Sequence, residues 1–514
     1  MGFSLKKNSN IMKKILYTLV IGLSVITVQS QEISDAMRYA QSNLNGTARF
    51  RAMAGAFGAL GGDMSSLNVN PAGSVVFNNS QVQGSLSNYN TKNNSDYLGT
   101  KNSENNNAFD LNQGGGVFIF ENEDKKSDWK KFALGLNYEN ANNFDNRTFS
   151  SGTNQNSISN YFLSYANPNA NQGGIFLSTL ENFDYDELNF ADQQAFLGYQ
   201  AYIINPTNPN DSSNDTYFSN VNGGSYKQEN GFSSKGYNGK LTINGAGQYK
   251  DWLNVGLNLN SHFTDYRQTT IFFEGNSSNS GVRNLRFRNE IYTYGTGFSF
   301  QIGAIAKATK QIRVGLSYES PTWYRLNDET SQILSSTGFG YGNPANPNLS
   351  NVVVNPQITN VFEPYTLQTP GKYTGSLAYI FGKNGLLSVD FSTKDYSNTQ
   401  FRPKNEFTKV NKNMSNVLTR SNEVRIGGEY KIKFLSLRGG YRYEQSPYKD
   451  KKTIGDLTGY SGGLGYNFGD TKVDLSYSYS KRNARQQFFS QGFTDFTTIN
   501  AIDNNVTVTV SFEL

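Results

Sequence analysis

The sequence predicts an all-β fold, a closed antiparallel transmembrane β-barrel. Three observations predict it. An export leader is followed by no apolar run long enough to cross a bilayer as a helix, stretches of about ten residues alternate apolar and polar between turn residues, and the last such stretch runs to the final residue. Strands can cross lipid only when closed into a ring, because closure pairs every main-chain N–H and C=O.

The leader comes first. Lys6, Lys7, Lys13 and Lys14 form a basic segment, residues 15–28 an apolar core, and Val28-Gln29-Ser30 a small-residue cleavage site. Residues 1–30 are therefore expected to be a signal peptide, with a mature chain beginning at Gln31. The apolar core falls short of the ~20 residues a spanning helix needs.

Residues 31–80 differ in character from the remainder of the chain. Ser34 is placed to cap a short helix carrying Ile33, Met37 and Ala40, and 52–62 is a run of Ala and Gly with only Met, Phe and Leu between. The glycines lack the spacing and the Gly-Lys-Ser/Thr of a phosphate loop. Close backbone approach inside a barrel explains them better.

From residue 81 onward the alternating stretches pair into hairpins. Residues 116–120 match 132–138, 241–243 match 253–263, and 298–307 match 312–318. Further along, 373–381 match 386–391, 424–430 match 435–443, and 462–468 match 473–479. The turn at Lys383-Asn384-Gly385 is expected to place its positive φ on Asn-Gly. Val506, Val508, Val510, Phe512 and Leu514 share one face of the last strand, with Thr507, Thr509, Ser511 and Glu513 on the other. The count is roughly 12 to 16 strands, an even number being expected. Polar segments at 140–230, 265–290, 325–370 and 395–420 are expected to be extracellular loops, and Tyr and Phe near strand ends to form interfacial girdles.

Composition agrees. Only 17% of residues are charged and 14% are aromatic, while mean hydropathy is −0.58, so Asn, Ser, Thr, Gln and Gly supply most of the polarity. A net charge of +5 over 514 residues is too dilute for a nucleic-acid surface. Cysteine is absent and His262 is the one histidine, so a thiolate or imidazole metal site is not expected, and neither is a cofactor. A hydrolase would need His262 as its base. Its same-face neighbours are Asn260 and Thr264, with Asp265 on the opposite face, so no catalytic residues are assigned. His262 itself is expected to be a solvated lumen residue.

Several short segments, in order, carry a family resemblance. Asn68-Val69-Asn70-Pro71-Ala72-Gly73 resembles the Asn-Pro-Ala element near the N-terminus of the outer-membrane transporters of long-chain fatty acids and aromatic hydrocarbons, the FadL/OmpP1/TodX family. Segments 313–321, 369–371, 377–379, 437–447, 463–468 and 473–477 are similar to later elements of that family, and the Asn/Lys-rich character looks like its Bacteroidota members. The resemblance covers most of residues 36–514. It implies a 14-stranded barrel (81–514) in the bacterial outer membrane, a hatch (31–80) inside the lumen, and passive uptake of hydrophobic compounds, with sideways exit through a kinked strand in some members. Asn70, Pro71, Ala72 and Gly73 are then the candidates for hatch function, although a rigid tight turn with no moving part accounts for the same residues. The implied partners are fatty acids or aromatic hydrocarbons, outer-membrane lipid and lipopolysaccharide. An apolar pocket lined by Phe, Leu and Ile is expected near the extracellular side. Family members adapted as subunits of secretion or barrel-assembly machines supply the alternative, an accessory role with other outer-membrane proteins as partners.

Overall fold

The computed structural model describes residues 31–124, 126–169, 173–341 and 348–514; the expected signal peptide lies outside them. Ahead of the first strand, α1 (Ile33–Ala40), α2 (Ala48–Ala52) and two 3₁₀ turns (Met64–Asn68 and Pro71–Val76) fill the lumen. The α1 helix starts one residue before Ser34. Its N-cap is Glu32, joined reciprocally to Asp35, and Ser34 stays exposed. The helix buries Ala36, Met37, Tyr39 and Ala40.

Fourteen strands form the wall. They are β1 (Gln81–Tyr97), β2 (Thr100–Glu121), β3 (Trp129–Asn143, resumed at Asn146–Asn154), β4 (Tyr226–Tyr249), β5 (Leu253–Gly275) and β6 (Gly281–Lys307). Then come β7 (Ile312–Glu319, resumed at Trp323–Phe339) and β8 (Leu349–Val354, Asn360–Val361, Tyr365–Gln368 and Lys372–Phe381). The ring is completed by β9 (Gly385–Asp395), β10 (Arg420–Ile432), β11 (Leu435–Glu444), β12 (Ile454–Asn467), β13 (Thr471–Gln487) and β14 (Phe496–Glu513). Each strand pairs antiparallel with the next, and β14 returns to β1 with Leu86 opposite Val508. The seam shows the alternation at work. Ser85 and Ser87 join Thr509 and Thr507 by hydroxyl bonds of 2.7 Å inside, while Leu86, Val506 and Val508 are exposed outside. Among the described residues no helix is long and apolar enough to cross a membrane; the crossing is made by strands.

The connections at the end holding Gln81 and Glu513 are short, as periplasmic turns are. Phe120, Trp129, Trp252, Phe381, Phe434 and Phe468 stand exposed beside them. On β8 the outward face runs from Phe381, 55% exposed, through Tyr379 and Leu377 to Tyr373, 61% exposed. At roughly 3.3 Å per residue that span is about 26 Å along the strand and, at a tilt of about 35–45°, about 20 Å in height, most of an apolar band ~25 Å tall between aromatic girdles. All six hairpins read from the sequence are present.

Several expectations need correction. Residues 265–290 and 325–370 are largely strand, because β5 to β8 continue past the lipid with polar outward faces, and the loss of apolar alternation reads as loop. The turn after β8 is a three-residue loop closed by Phe381 opposite Gly385, and its positive φ, +59°, falls on Gly382 rather than on Asn-Gly. Segment 140–230 holds a cap of three helices, α3 (Ser159–Ala166), α4 (Leu177–Asn182) and α5 (Phe190–Gln200). The cap has a core of its own, in which Phe162, Leu180 and Leu197 join Phe272, Phe287 and Leu334 from the strand tips and Phe489 and Phe493 from the last loop. The Phe, Leu and Ile side chains expected to line an apolar pocket near the extracellular side pack against one another here. A fourth outer helix, α6 (Thr408–Val417), buries Met414 with Tyr365, Phe401 and Phe407 over α1.

Candidate functional site: the hatch, its seat and the break in the wall

The hatch is seated on the wall through its own main chain. Asn70 caps the second 3₁₀ turn, its Oδ1 accepting from Ala72 N at 3.2 Å, with Pro71 at the first position, where no N–H is needed. Its Nδ2 donates to Gly58 O at 2.8 Å and to Ala304 O of β6 at 2.9 Å, with a longer 3.4 Å contact to Leu316 O of β7. One side chain thereby ties two parts of the hatch to two strands. Pro71 O accepts from Asn244 of β4 at 2.9 Å. Gly73 passes so close to Gly61 and Ser66 that a Cβ there would stand 2.7 Å from Ser66 Oγ. Ala72 is fully buried.

The seat itself was not legible as a motif. It consists of wall glycines whose missing side chains admit hatch backbone. A Cβ on Gly256 or Gly303 would land on Pro71 or Asn70, and one on Gly315 would land on Gly58. On the far wall, a Cβ on Gly440 would stand 2.5 Å from Ala54 N, and one on Gly463 2.6 Å from Ala52 Cβ. These positions face inward on strands where lumen residues are otherwise polar or charged, and an isolated strand glycine signals close backbone approach.

Polar side chains complete the seat. Gln301 donates to Val69 O at 2.9 Å, Asn258 to Leu67 O at 2.8 Å, and Ser317 to Val69 O at 2.6 Å. Arg49 of the hatch pairs with Glu429 at 2.7 Å, and Glu429 also takes Arg438 at 2.9 Å. Asp63 accepts Thr47 Oγ1 at 2.8 Å and Ser65 N at 2.9 Å. Burial pushes its carboxyl up, and Arg49 opposes that shift.

The second feature is a break in the wall between β2 and β3. Their ladder covers only Gln113–Glu121 of β2. Above it β2 pairs with β1 alone, while the outer half of β3 pairs with β4 alone. After a bulge at Asn140/Asn142, β3 turns inward, so that Asn93 and Ser95 on the lumen face of β1 donate to Arg147 O at 2.7 Å and Phe149 O at 2.6 Å. Among the described residues side chains bridge the opening: Asn102 donates to Ser151 Oγ at 3.2 Å, Asn106 to Asp145 O at 3.0 Å, and Asn140 and Asn143 to Asp110. The hatch holds this bend. Asn45 donates to Asn140 O at 2.6 Å and to Ala141 O at 2.8 Å, two carbonyls the bulge frees. Phe144, at the corner, packs edge-on to Tyr39 of α1 with ring centres 5.9 Å apart. A polar cavity of about 110 Å³ lies behind the bend, lined by Asn45, Arg51, Asn143, Asp145 and Asp503 among others.

His262 is buried rather than solvated. Its ring bonds Ser299 Oγ at 2.9 Å and Tyr324 O–H at 3.3 Å. Both nitrogens are used structurally, and Asn260 and Thr264 flank it on the buried face. Among the described residues no group of three or more His, Cys, Asp or Glu is placed to hold a metal.

Residues 228–511, more than half of the chain, match the family model described as outer membrane protein transport protein (OMPP1/FadL/TodX). This chain belongs to that family. The OMPP1/FadL/TodX proteins are outer-membrane β-barrel channels for hydrophobic compounds and not enzymes, and the hatch-filled barrel fits uptake of that kind. Solved structures agree at the level of fold. A Pseudomonas aeruginosa FadL homologue aligns at 12% identity over 92% of this chain and 99% of its own, with a TM-score of 0.50. A TodX monoaromatic hydrocarbon channel, the deltaS2 mutant, aligns at 13% identity over 92% of this chain and all of its own, with a TM-score of 0.51. No curated protein matches the sequence. The alternative of an accessory subunit draws no support from these findings.

Proposed function

We propose that this OMPP1/FadL/TodX protein takes up fatty acids or aromatic hydrocarbons from outside the cell and releases them sideways, through the break between β2 and β3, while the hatch closes the straight path to the periplasm. The observation that carries the reading is the missing ladder above Gln113, where side-chain hydrogen bonds stand in place of main-chain pairing between β2 and β3. Apolar cargo gains by entering hydrocarbon directly, about 0.8 kcal/mol per CH₂ withdrawn from water, whereas the hatch-to-wall contacts are polar and backbone-close. In this reading residues 31–80 are the hatch, residues 81–514 the barrel, and Asn70, Pro71, Ala72 and Gly73 its anchor. Lipopolysaccharide is the proposed outer-leaflet neighbour: Arg286, Arg288 and Arg325 stand exposed above the aromatic rim of β6 and β7, placed to meet its phosphates.

The test uses the absence of native cysteine. Asn102→Cys with Ser151→Cys, oxidised, should staple the opening and reduce uptake of a labelled fatty acid at least about tenfold, with recovery on reduction. Unchanged uptake by the oxidised protein would remove the lateral route.

A further inference from the structure

A second cavity, of about 250 Å³, lies on the periplasmic side of the hatch, between Leu60, Val76 and the β8/β9 turn. Its lining differs from the other charged part of the interior, where Arg425 and Arg442 are matched by Glu423 and Glu444. Arg49, Arg313, Lys383 and Lys431 contribute four cations against the single carboxylate of Glu429. That carboxylate is already shared by Arg49 at 2.7 Å, Arg438 at 2.9 Å and Lys431 at 3.5 Å. Arg313 points inward, since its guanidinium donates to Leu60 O at 3.1 Å, and a main-chain carbonyl leaves its charge uncompensated. Lys383 sits at the mouth on the exposed turn. Between these cations the walls are apolar, formed by Leu60, Val76, Ile380 and Leu386.

We propose that this pocket binds a carboxylate-bearing amphiphile, its head held by Arg313 and Lys383 and a short length of its alkyl chain laid along Leu60, Val76 and Ile380. The guanidinium fork matches a carboxylate in a way a point charge does not. The volume lies just under the ~300–1,000 Å³ of pockets for drug-sized ligands, which suits a head group with a few carbons rather than a whole long chain. A bound anion also stands beside Arg49, the hatch's own link to Glu429, so occupancy and hatch attachment compete for one cation. The site goes beyond lateral uptake and does not depend on it. A carboxylate could reach it from the periplasm, either as cargo already released from the barrel or as an unrelated free acid.

The probe is sodium hexanoate, soluble without micelles, titrated calorimetrically into the full-length mature protein in a non-ionic detergent. One site is expected, weakened by salt, and weakened at least about tenfold by Lys383→Gln or Arg313→Gln. Lys383 is an exposed turn residue, so that variant tests the site even if Arg313→Gln misfolds. Hexanol and inorganic phosphate should each bind at least tenfold more weakly than hexanoate. Hexanoate binding that survives both variants overturns the proposal, as does hexanol or phosphate binding equally well. Cellular uptake of labelled decanoate separates the sources: slower uptake by Lys383→Gln marks released cargo, and unchanged uptake with lost hexanoate binding marks a periplasmic acid.

Discussion

Asn70 holds the hatch through contacts with carbonyls of Gly58, Ala304 and Leu316. Removing its amide strands buried acceptors, at a cost of about 1–3 kcal/mol. Asn70→Ala should therefore raise background ion leak through the protein in a planar bilayer, and Asn70→Asp should raise it further, because a carboxylate faces carbonyl oxygens without a proton to donate. Equal conductance in wild type and both variants would leave Asn70 as a static cap. The glycine seat makes a complementary expectation. Gly315→Ala places a methyl on Gly58 O, so overpacking should cost about 1–3 kcal/mol in urea unfolding from lipid vesicles. At this scale the sequence showed Asn70-Pro71-Ala72-Gly73 as a unit, but not its partners. Gly256, Gly303 and Gly315 lie on three different strands, and nothing local to any of them reveals a hatch neighbour so far away along the chain.

The bend of β3 depends on the hatch for its hydrogen bonds. Asn45 satisfies two carbonyls that the bulge releases, so Asn45→Ala is expected to loosen the bend while leaving the β2–β3 ladder at Gln113–Glu121 intact. Faster amide exchange confined to 140–154 would show this, and exchange spread through β2 would argue against it. The helical cap is a separate unit built on strand tips. Phe162 is fully buried there among Phe287 and Tyr161, and Phe162→Ala should cost about 3–5 kcal/mol locally. Limited proteolysis should then cut within 159–200 without altering the barrel. Hairpins were legible because a period of two over five or more residues specifies both strand and facing side. The cap was not, since its helices are short and the residues that bury them come from β5, β6, β7 and the loop before β14.

For the molecule as a whole, stability rests on ring closure in a medium that offers no water to unpaired amides. Val508 faces lipid on β14, opposite Leu86. Val508→Arg should destabilise the barrel by about 2–4 kcal/mol near the midplane, read from denaturant unfolding in vesicles. Thr507→Val, one residue away on the lumen face, instead removes a hydroxyl bond to Ser87 and should cost about 1 kcal/mol. By itself the sequence determined the barrel, the inward and outward faces of its strands, the Asn-Pro-Ala turn and the family, because alternation and short motifs are encoded between near neighbours. The tertiary structure alone decided where the hatch rests, how β3 leaves the wall, that the extracellular apolar residues pack into a core, and that four cations meet beneath the hatch. Those features depend on residues far apart in the chain, whose meeting is set by barrel register and closure rather than by any local pattern.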